Sequence, residues 1–254
     1  MPRPPDELKS LVERYLDDLE LTPELGTLAE PMRHALGGKR VRPVVCLATG
    51  EALGGDAEQL LPAAAAVELV HSFSLVHDDL PSLDNDSERR GEPSVWAQYG
   101  EATAILAGDA LLVEAMRLAL MYPTGSVARE LAHATLAMIG GQQMDLDGGA
   151  QLEQLHSLKT GALFSASVMC ALWAADVPIT EHEPWRIFAG ELGLLFQIVD
   201  DLLDGDGYVL EVGGEGARHL ADEAAERAQA RLAEIDADTD VLASIVDDLA
   251  TRTS

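Results

Sequence analysis

Two long segments of this chain are apolar on almost every side when they are read as helices. They are Ala63 to Asp79 (AAAAVELVHSFSLVHDD) and Ile187 to Asp204 (IFAGELGLLFQIVDDLLD). A helix without a polar stripe is stable in water only if other helices surround it. The two segments are therefore predicted to be central helices of a large bundle.

The rest of the chain repeats the helical pattern. Ala and Leu dominate the long segments, and alternating β-branched runs are nearly absent. Breaks that separate helices of about 15 to 25 residues are expected at Leu21 to Glu30, Gly54-Gly55, Pro81 to Pro93, Tyr122 to Gly125, Gly148-Gly149, Val177 to Glu183 and Gly205 to Gly216. We predict an all-α fold, with residues 1–254 forming a single domain of about ten or more long helices.

Acidic residues strongly outnumber basic ones. The chain has 44 Asp and Glu against 17 Lys and Arg, which argues against nucleic acid or an anionic membrane surface as the main partner. The N-terminal MPRPPDELKS lacks the apolar core of a signal peptide, and no uncharged stretch approaches the ~20 residues that span a bilayer. Cys46 and Cys170 lie in apolar runs, where buried thiols are expected and a disulfide is the alternative. We expect a soluble, cytoplasmic protein without a membrane anchor.

Aspartates gather at the C-terminal ends of both central segments. The stretch HDDLPSLDND, His77 to Asp86, holds four aspartates in ten residues, and FQIVDDLLD ends with three more. Asp17-Asp18 and Asp247-Asp248 lie on polar helix faces and are interpreted as solvated surface. After a long apolar run, by contrast, a carboxylate loses its water and must be protonated, paired or bound to a metal.

The spacing within the two clusters suits a divalent cation. Asp200 and Asp204 share one face of a helix with Asp201 beside them, and the turn after the first cluster lets Asp84 fold back toward Asp78. Ligand sets made only of oxygen favour Mg²⁺, which takes one or two carboxylates and completes its octahedron with water and phosphate. For either cluster alone, an ordinary charged helix end is the alternative.

Five of the 17 basic residues lie in two short segments. GGKRVRP, Gly37 to Pro43, opens a helix with three cations, and Arg89-Arg90 follows the first aspartate cluster. A glycine-flanked basic loop at a helix N-terminus is a good anion site, and arginine binds phosphate in bidentate fashion. Salt bridges to the abundant carboxylates are the alternative, above all for Arg40.

Five segments, in this order, carry a resemblance to a known family. They are GGKRVRP, VELVHSFSLVHDDLPSLDNDSERRGEPSVWAQYGEATAILAGDALL, GGQQMDL, HSLKTGALF and FQIVDDLLD. From about Leu36 to Asp204 the chain resembles the short-chain trans-isoprenyl (polyprenyl) diphosphate synthases, most of all the bacterial farnesyl and geranylgeranyl diphosphate synthases. The resemblance implies the isoprenoid synthase fold, with a deep central pocket between the helices.

The resemblance also implies an activity. The expected reaction is the Mg²⁺-dependent head-to-tail condensation of isopentenyl diphosphate with an allylic diphosphate, dimethylallyl or geranyl, to give farnesyl diphosphate and pyrophosphate. Metal and guanidinium charge would stabilise the departing pyrophosphate, while an apolar pocket excludes water from the allylic cation.

Each residue that matches a family motif has an expected role. The expected catalytic residues are Asp78, Asp79, Asp84, Asp200, Asp201, Asp204 and Lys159. Of these, Asp78, Asp84 and Asp200 are the expected metal ligands for about three Mg²⁺ ions in the substrate complex, which Mn²⁺ can replace. Isopentenyl diphosphate is expected to bind Lys39, Arg42, His71 and Arg90, and the allylic diphosphate Arg89, Lys159, Thr160 and Gln197. Gln142, Gln143 and Asp145 are expected to line the pocket, and His77 to orient its neighbours.

Two further expectations follow from the resemblance. Phe73 lies five residues before Asp78, where an aromatic side chain resembles the farnesyl-forming pattern and closes the pocket floor early. A C15 product is therefore expected first and a C20 product second. The chain is also expected to form a homodimer, with a heteromer as the alternative, because family members bury long apolar helices at a two-fold interface.

One region departs from the family pattern. After FQIVDDLLD the family continues through a loop that carries two lysines, whereas this chain has a shortened loop near residues 205–216 and no lysine after Lys159. Charge-assisted contacts are worth about 1.5 to 3 kcal/mol each, so the loss of two calls for compensation. Arg218 is one candidate, and a less enclosed site or a partner subunit are the others.

Three other functions compete with farnesyl diphosphate synthesis. They are geranylgeranyl diphosphate synthesis, class I terpene cyclisation, and a low-activity regulatory subunit of a heteromeric synthase. Cyclases typically lack an isopentenyl site such as the one expected at Lys39, Arg42 and Arg90, and their second metal motif differs from DDLLD. The intact aspartates disfavour a regulatory subunit, because a crowded carboxylate site without chemistry would only reduce stability.

Overall fold

The computed structural model describes residues 2–148 and 151–252. Over these residues the chain forms twelve α-helices, which we number α1 to α12 in chain order. Their bounds are Pro5–Asp17, Ala29–Ala35, Val41–Ala52, Ala57–Asp78, Val95–Tyr99, Glu101–Ala119, Ser126–Asp147, Leu152–His156, Ala162–Ala174, His182–Asp204, Tyr208–Ala233 and Asp240–Ala250. The all-α prediction is confirmed, but among these described helices only α4, α6, α7 and α10, with 22, 19, 22 and 23 residues, fall within the expected 15 to 25. Helix α11 has 26 residues, and the other seven are shorter than expected.

The remaining regular elements are short. They are the 3₁₀ turns Pro23–Leu28 and Ile179–Glu181, a π-helical turn Ser157–Gly161, and an antiparallel hairpin of β1 Glu88–Arg89 and β2 Glu92–Pro93. The hairpin lies within the break that was predicted from Pro81 to Pro93. The π-helical turn joins α8 to α9 without a loop, so that residues 152–174 form one interrupted helix.

Helix α4 occupies the centre of the bundle, as predicted. It packs against α3, α6 and α9, and every residue from Ala63 to Val70 is buried. The Asp56 carboxylate caps its start by accepting a hydrogen bond from the backbone N–H of Glu58 (3.1 Å). The helix ends at Asp78, so the first aspartate cluster lies where the buried helix emerges.

Helix α10 is the second long helix at the pocket, and it packs against α9 and α11. Gly205 ends it in the left-handed conformation (φ 75°), and the Gly205 N–H donates to the Asp201 carbonyl at 2.8 Å. Glycine adopts this conformation without a steric penalty. The second aspartate cluster therefore lies in the last turn of α10.

The predicted break from Gly205 to Gly216 is mostly helical, so that prediction was wrong. Only Gly205–Gly207 separates α10 from α11, because the Asp201 carboxylate accepts a hydrogen bond from the Tyr208 backbone N–H (2.9 Å) and starts the next helix. The helix then bends at Gly213 (φ 77°). The glycines that suggested a loop form a tight connection and a kink instead.

Both cysteines are free and buried, as predicted, and burial raises the pKa of the Cys46 thiol to about 12. Two described segments, Ala57–Asp78 and Leu152–Ala174, are long and apolar enough to cross a membrane. However, 67% and 50% of their apolar windows are buried inside the bundle, and core helices of soluble proteins pass the same test. Their length and composition are therefore weak grounds for a membrane span.

Candidate active site

A cavity of about 1230 Å³ opens between the helices that carry the sequence motifs. It is lined by all but two of the predicted catalytic and substrate-binding residues: Lys39, Arg42, His71, Phe73, Asp78, Arg89, Arg90, Lys159, Thr160, Gln197, Asp200, Asp201 and Asp204. Gln142, Gln143 and Asp145 line it as well. Asp79 and Asp84 are not part of the lining. Residues far apart in sequence thus meet at one site.

The first aspartate cluster folds back on itself, as its spacing predicted. The Asp84 backbone N–H donates to the Asp78 carbonyl at 2.9 Å, and Asn85 closes the turn with a positive φ of 56°. Burial raises the pKa of the Asp78 carboxyl to about 6, an effect that the charge of Lys159 partly offsets. The Asp84 side chain is exposed on this turn.

Asp79 faces the protein interior. Its carboxylate is only 2% exposed and pairs with the Arg89 guanidinium, which reaches back from β1 and also contacts Asp86 at 3.3 Å. Burial raises the pKa of Asp79, and the hydrogen bonds from Arg89 lower it. Asp79 was predicted to support the metal ligands, and it is placed to do so only indirectly, by fixing Arg89 at the edge of the cavity.

The second cluster has the same division between adjacent aspartates. Asp201 is 3% exposed, and its carboxylate accepts hydrogen bonds from Gln197 Nε2 (2.6 Å) and the Tyr208 backbone N–H (2.9 Å). Asp200 faces the cavity, where burial and Asp204 raise its pKa while Arg252 and Arg42 lower it. In each pair one aspartate is almost fully buried and held by hydrogen bonds; Asp79 lies outside the cavity lining, whereas Asp201 still contributes to it.

The donor set fits Mg²⁺ only in combination with a substrate. Among residues 2–148 and 151–252, no group of three or more His, Cys, Asp or Glu could hold a metal ion by itself. Within the same ranges, Asp78 and Asp200 make no side-chain hydrogen bond or ion pair that would occupy their oxygens. Mg²⁺ usually takes one or two carboxylates and completes its shell with water and phosphate, which matches this arrangement.

The GGKRVRP segment forms a basic wall of the cavity. Arg40 is turned away, and its guanidinium donates to the buried Glu68 carboxylate at 2.6 Å, so the salt-bridge alternative is correct for this residue. Gly38 adopts a φ of 115°, which strains other residues, and a Cβ there would also displace the Arg90 guanidinium, which would lie 2.7 Å away. Lys39, between them, is exposed and lines the cavity.

Arg42 lies deeper in the same wall, stacked on two aromatic rings. Its guanidinium carbon is 4.5 Å from the centre of the Phe164 ring and 5.3 Å from that of Phe196. Burial lowers the pKa of Arg42 to about 10, which still leaves it charged at neutral pH. The rings hold the guanidinium flat at the cavity surface, where it can receive an anion.

His71 is neutral in this environment. Burial lowers the pKa of its imidazole well below the usual value, and the nearby charges of Arg42, Arg90, Arg40 and Arg89 lower it further. A neutral imidazole can donate one hydrogen bond to a phosphate oxygen without adding a charge. His71 was predicted to bind a substrate, and it lines the cavity.

Lys159 and Thr160 lie in the π-helical turn. Such a turn holds about one residue more than an α-helical turn and pushes its side chains outward. Lys159 Nζ donates to the Asp145 carboxylate at 2.6 Å. Gly141 on α7 permits the close packing, because a Cβ there would lie 2.7 Å from the Lys159 backbone nitrogen.

Phe73 belongs to the cavity lining and is 6% exposed. Its ring packs edge-on against His77, with ring centres 5.5 Å apart. His77 Nε2 is 3.0 Å from the Ile105 carbonyl, so the His77 side chain is anchored to α6. The predicted role of Phe73 in product length and that of His77 in orienting its neighbours stay predictions.

Arg218 lies outside the cavity lining, whereas Arg252 belongs to it. Arg218 was proposed to enter the site, but its guanidinium donates to the Ala250 carbonyl at 2.9 Å, outside the cavity lining. Arg252, which the motifs did not single out, lines the cavity. Arg252 is the last basic residue of the sequence, and this position was the only hint of its role that the sequence offered.

Comparisons with known proteins agree with this geometry. The chain matches the polyprenyl synthetase family over residues 26–216. It is 33% identical over 263 residues to farnesyl diphosphate synthase of Bacillus subtilis, covering 89% of each chain. It is 43% identical over 212 residues to a chloroplastic geranylgeranyl pyrophosphate synthase of Capsicum annuum, covering 76% of this chain and 57% of the relative.

Solved structures share the whole fold. A geranyltransferase from Legionella pneumophila has 30% identity and a TM-score of 0.87, over 98% of this chain and 95% of that one. Motifs, fold and family match cover the same helices and meet at the same cavity. The chain belongs to the polyprenyl synthetase family, whose relatives named here are trans-prenyltransferases.

Proposed function

We propose that this chain condenses isopentenyl diphosphate with dimethylallyl or geranyl diphosphate to form farnesyl diphosphate. The observation that carries the proposal is one cavity lined by two carboxylates, Asp78 and Asp200, by the cations of a basic wall and by the aromatic ring of Phe73. The names of the Bacillus and Legionella proteins support the same reaction class. Asp78, Asp84 and Asp200 would hold Mg²⁺, whose charge assists the departure of pyrophosphate.

The side chains of the cavity divide the remaining work. Arg42, Lys39, Arg90 and His71 hold the isopentenyl diphosphate, while Lys159, which pairs with Asp145 at 2.6 Å and lowers the pKa of Asp78, holds the allylic diphosphate. Aromatic and aliphatic side chains keep water from the allylic cation, so that the alkene of isopentenyl diphosphate attacks first. Loss of a proton then completes the five-carbon extension.

The direct test is incubation of purified protein with Mg²⁺, isopentenyl diphosphate and one allylic primer. Linear prenols after phosphatase treatment are the expected result, identified by mass spectrometry. Cyclic hydrocarbons formed without isopentenyl incorporation would instead identify a terpene cyclase. Absence of turnover with all primers would favour the regulatory subunit.

Phe73 is proposed to limit the product to C15. It is 6% exposed at the apolar end of the cavity, and Phe73→Ala would remove the floor. We expect this variant to make C20 or longer products, whereas the matched Phe73→Tyr should keep C15. A C20 product from the unchanged protein would support geranylgeranyl diphosphate synthesis, the activity named for the Capsicum relative.

A homodimer is proposed through an exposed apolar strip on α6 and α7. Leu106, Val113 and Leu120 recur at seven-residue spacing with exposures of 56, 68 and 63%, and Leu136 on α7 is 68% exposed. Contiguous apolar surface of this kind marks association sites. Light scattering should show a dimer that Val113→Lys dissociates. A dimer unaffected by Val113→Lys would reject this interface, and a monomeric unmodified protein would reject the homodimer and leave the heteromer.

The acidic surface and the burial of the two apolar segments support a soluble, cytoplasmic protein. Cell fractionation measures this property. We expect the protein in the supernatant at low and high salt.

A further inference from the structure

Glu68 is a buried carboxylate beside the basic wall of the cavity. It lies on α4, one helical turn before His71, and is only 2% exposed. Arg40 Nη1 donates to its Oε1 at 2.6 Å, and Arg40 is itself 8% exposed. Replacement of a buried ion pair by apolar residues is often neutral for stability, so stability alone does not explain this pair. A buried pair can instead select one conformation of the chain around it.

The guanidinium of Arg40 holds the backbone that leads into α3. Its Nη1 also donates to the Gly37 carbonyl at 2.9 Å, and its Nη2 donates to the Leu36 carbonyl at 3.1 Å. Arg40 adopts the left-handed conformation with a φ of 60°, which is disfavoured for a residue with a Cβ unless the surrounding structure holds it. The contact with Glu68 therefore fixes a side chain that clamps the start of the GGKRVRP segment.

The same clamp reaches Arg90, in the turn of the hairpin. Arg90 Nη1 donates to the Gly37 carbonyl, so this one oxygen accepts from two guanidinium groups. Burial lowers the pKa of Arg90, and the charge of Glu68 raises it. Burial likewise lowers the pKa of Arg42 to about 10, and Glu68 again acts in the opposite direction. One buried carboxylate thus offsets the repulsion between cations that line the cavity.

We propose that Glu68 is a positioning residue for the isopentenyl diphosphate site, which holds Arg40 and, through the Gly37 carbonyl, Arg90. The basic wall is then formed before the substrate binds. Glu68 acts through Arg40 and does not contact the substrate. A preformed site loses less conformational freedom on binding, so the pair contributes to affinity and not to the chemical step. This inference rests on the proposed function for its substrate.

Steady-state kinetics of Glu68→Gln, with each substrate varied in turn, test the proposal. The amide keeps the shape of the side chain but removes the charge that holds Arg40. We expect the KM for isopentenyl diphosphate to rise about tenfold or more, and the allylic KM and kcat to stay within about twofold of the wild type. If Arg40 bound the substrate directly, loss of the Glu68 charge would release a cation and lower the isopentenyl KM. An unchanged or lower isopentenyl KM, or an equal rise of both KM values, overturns the proposal.

The double variant Arg40→Met/Glu68→Leu separates positioning from stability. Loss of one partner leaves a buried charge and should lower the unfolding temperature, whereas the apolar pair should restore it. The isopentenyl KM should stay raised in the double variant, because the Leu36 and Gly37 carbonyls have lost their donors from Arg40. Recovery of this KM together with the stability would show that Glu68 serves only the fold, and would overturn the proposal.

Glu114→Gln is the matched control. Glu114 is 4% exposed and accepts a hydrogen bond from Arg117 Nε at 2.9 Å on α6, outside the cavity lining. This variant should lose stability as Glu68→Gln does, but it should keep both KM values within about twofold of the wild type. An equal rise of the isopentenyl KM in Glu114→Gln would attribute the effect to lost stability and contradict positioning by Glu68.

Calorimetric titration of isopentenyl diphosphate, without an allylic substrate, separates this inference from the proposed function. We expect binding to Arg40→Met/Glu68→Leu to be about tenfold weaker or more, even if no product forms. Equal affinity of the wild type and this variant contradicts a role for Glu68. Absence of product from a wild type that binds isopentenyl diphosphate contradicts only the proposed function.

Discussion

The two aspartate clusters reach the same arrangement by different means. In both, the first aspartate of an adjacent pair, Asp78 or Asp200, faces the cavity, and the second is almost fully buried. The buried Asp79 is neutralised by the guanidinium of Arg89, whereas the buried Asp201 is held by the neutral donors of Gln197 and the Tyr208 backbone. A carboxylate at a fixed position can thus be supported by charge or by helix geometry.

The difference has an electrostatic consequence. Around the first cluster, Arg89 offsets one of the carboxylate charges locally. Around the second, the hydrogen-bond donors Gln197 and the Tyr208 backbone bring no charge. His156 Nδ1 lies 3.9 Å from the Asp201 carboxylate, but burial lowers the pKa of this imidazole. Arg252 and Arg42 therefore remain to offset Asp200. The second cluster should therefore depend more on residues outside its own helix.

The largest expected effect concerns the property that the clusters share. Asp78→Asn and Asp200→Asn should each lower kcat by about 10³-fold, because each removes an oxygen ligand from the side that faces the substrate. Incorporation of labelled isopentenyl diphosphate at saturating Mg²⁺ measures the loss. Asp248→Asn, on the exposed face of α12, is the control and should be active. Full activity of Asp78→Asn or Asp200→Asn would contradict the claim that both clusters supply an oxygen ligand.

The next effect concerns Arg89, the charged group that holds the buried Asp79. Arg89→Ala leaves the Asp79 carboxylate buried without its partner, which should reduce the free energy of unfolding by about 2 to 3 kcal/mol, given that Arg89 is itself 34% exposed. Urea denaturation monitored by circular dichroism measures this change. The double variant Arg89→Ala/Asp79→Asn should recover part of the stability. No recovery would mean that Arg89 acts by packing and not by charge.

A pH effect follows from the raised pKa of Asp78, about 6 in the folded protein against an ordinary 3.8. Because ionisation is disfavoured in the folded state, this group lowers stability as the pH rises from about 4 to 6 and adds nothing further above that range. In metal-free protein, Asp78→Asn should gain on the order of 2 kcal/mol over the wild type across this window. Parallel stability curves for the two proteins at pH 4 to 7 would contradict the assignment to burial.

The smallest expected effect concerns Gln197, the neutral side chain that donates a hydrogen bond to Asp201. Gln197→Ala removes the hydrogen bond to Asp201 but leaves the Tyr208 N–H in place, so a loss of about 1 kcal/mol in unfolding free energy is expected. Gln197→Glu, which places a like charge beside Asp201, should cost more. If both changes had the same effect, the hydrogen bond would not be the source of the support.

Much of the fold was predictable, because helical periodicity and the all-apolar faces of α4 and α10 are properties of the sequence itself. The burial of the Asp79 and Asp201 side chains was not predictable. Adjacent aspartates at a helix end look equivalent in sequence, and only the positions of Arg89 and Tyr208 distinguish them. The glycines of residues 205–216 wrongly predicted a loop. The hydrogen bond from the Tyr208 N–H to the Asp201 carboxylate starts a helix there instead.

The basic residues show the same limit. The sequence assigned Lys39 and Arg42 of GGKRVRP to the anion site and left a salt bridge as the alternative for Arg40, which the buried Glu68 partner now shows to be correct. The position of Arg218 outside the cavity depends on how α11 and α12 pack. Such long-range packing leaves no mark in the local sequence pattern.

The π-helical turn Ser157–Gly161 implies a conflict between local stability and activity. Removal of one residue, such as Leu158, would let residues 152–174 continue as one regular α-helix with a regular hydrogen-bond ladder. The same removal would rotate α8 and the neighbouring side chains by about 100° relative to α9. A deletion that regularises the helix would thus change the position of Lys159 relative to the cavity, so the irregular turn couples the hydrogen-bond pattern of this helix to the placement of one cation.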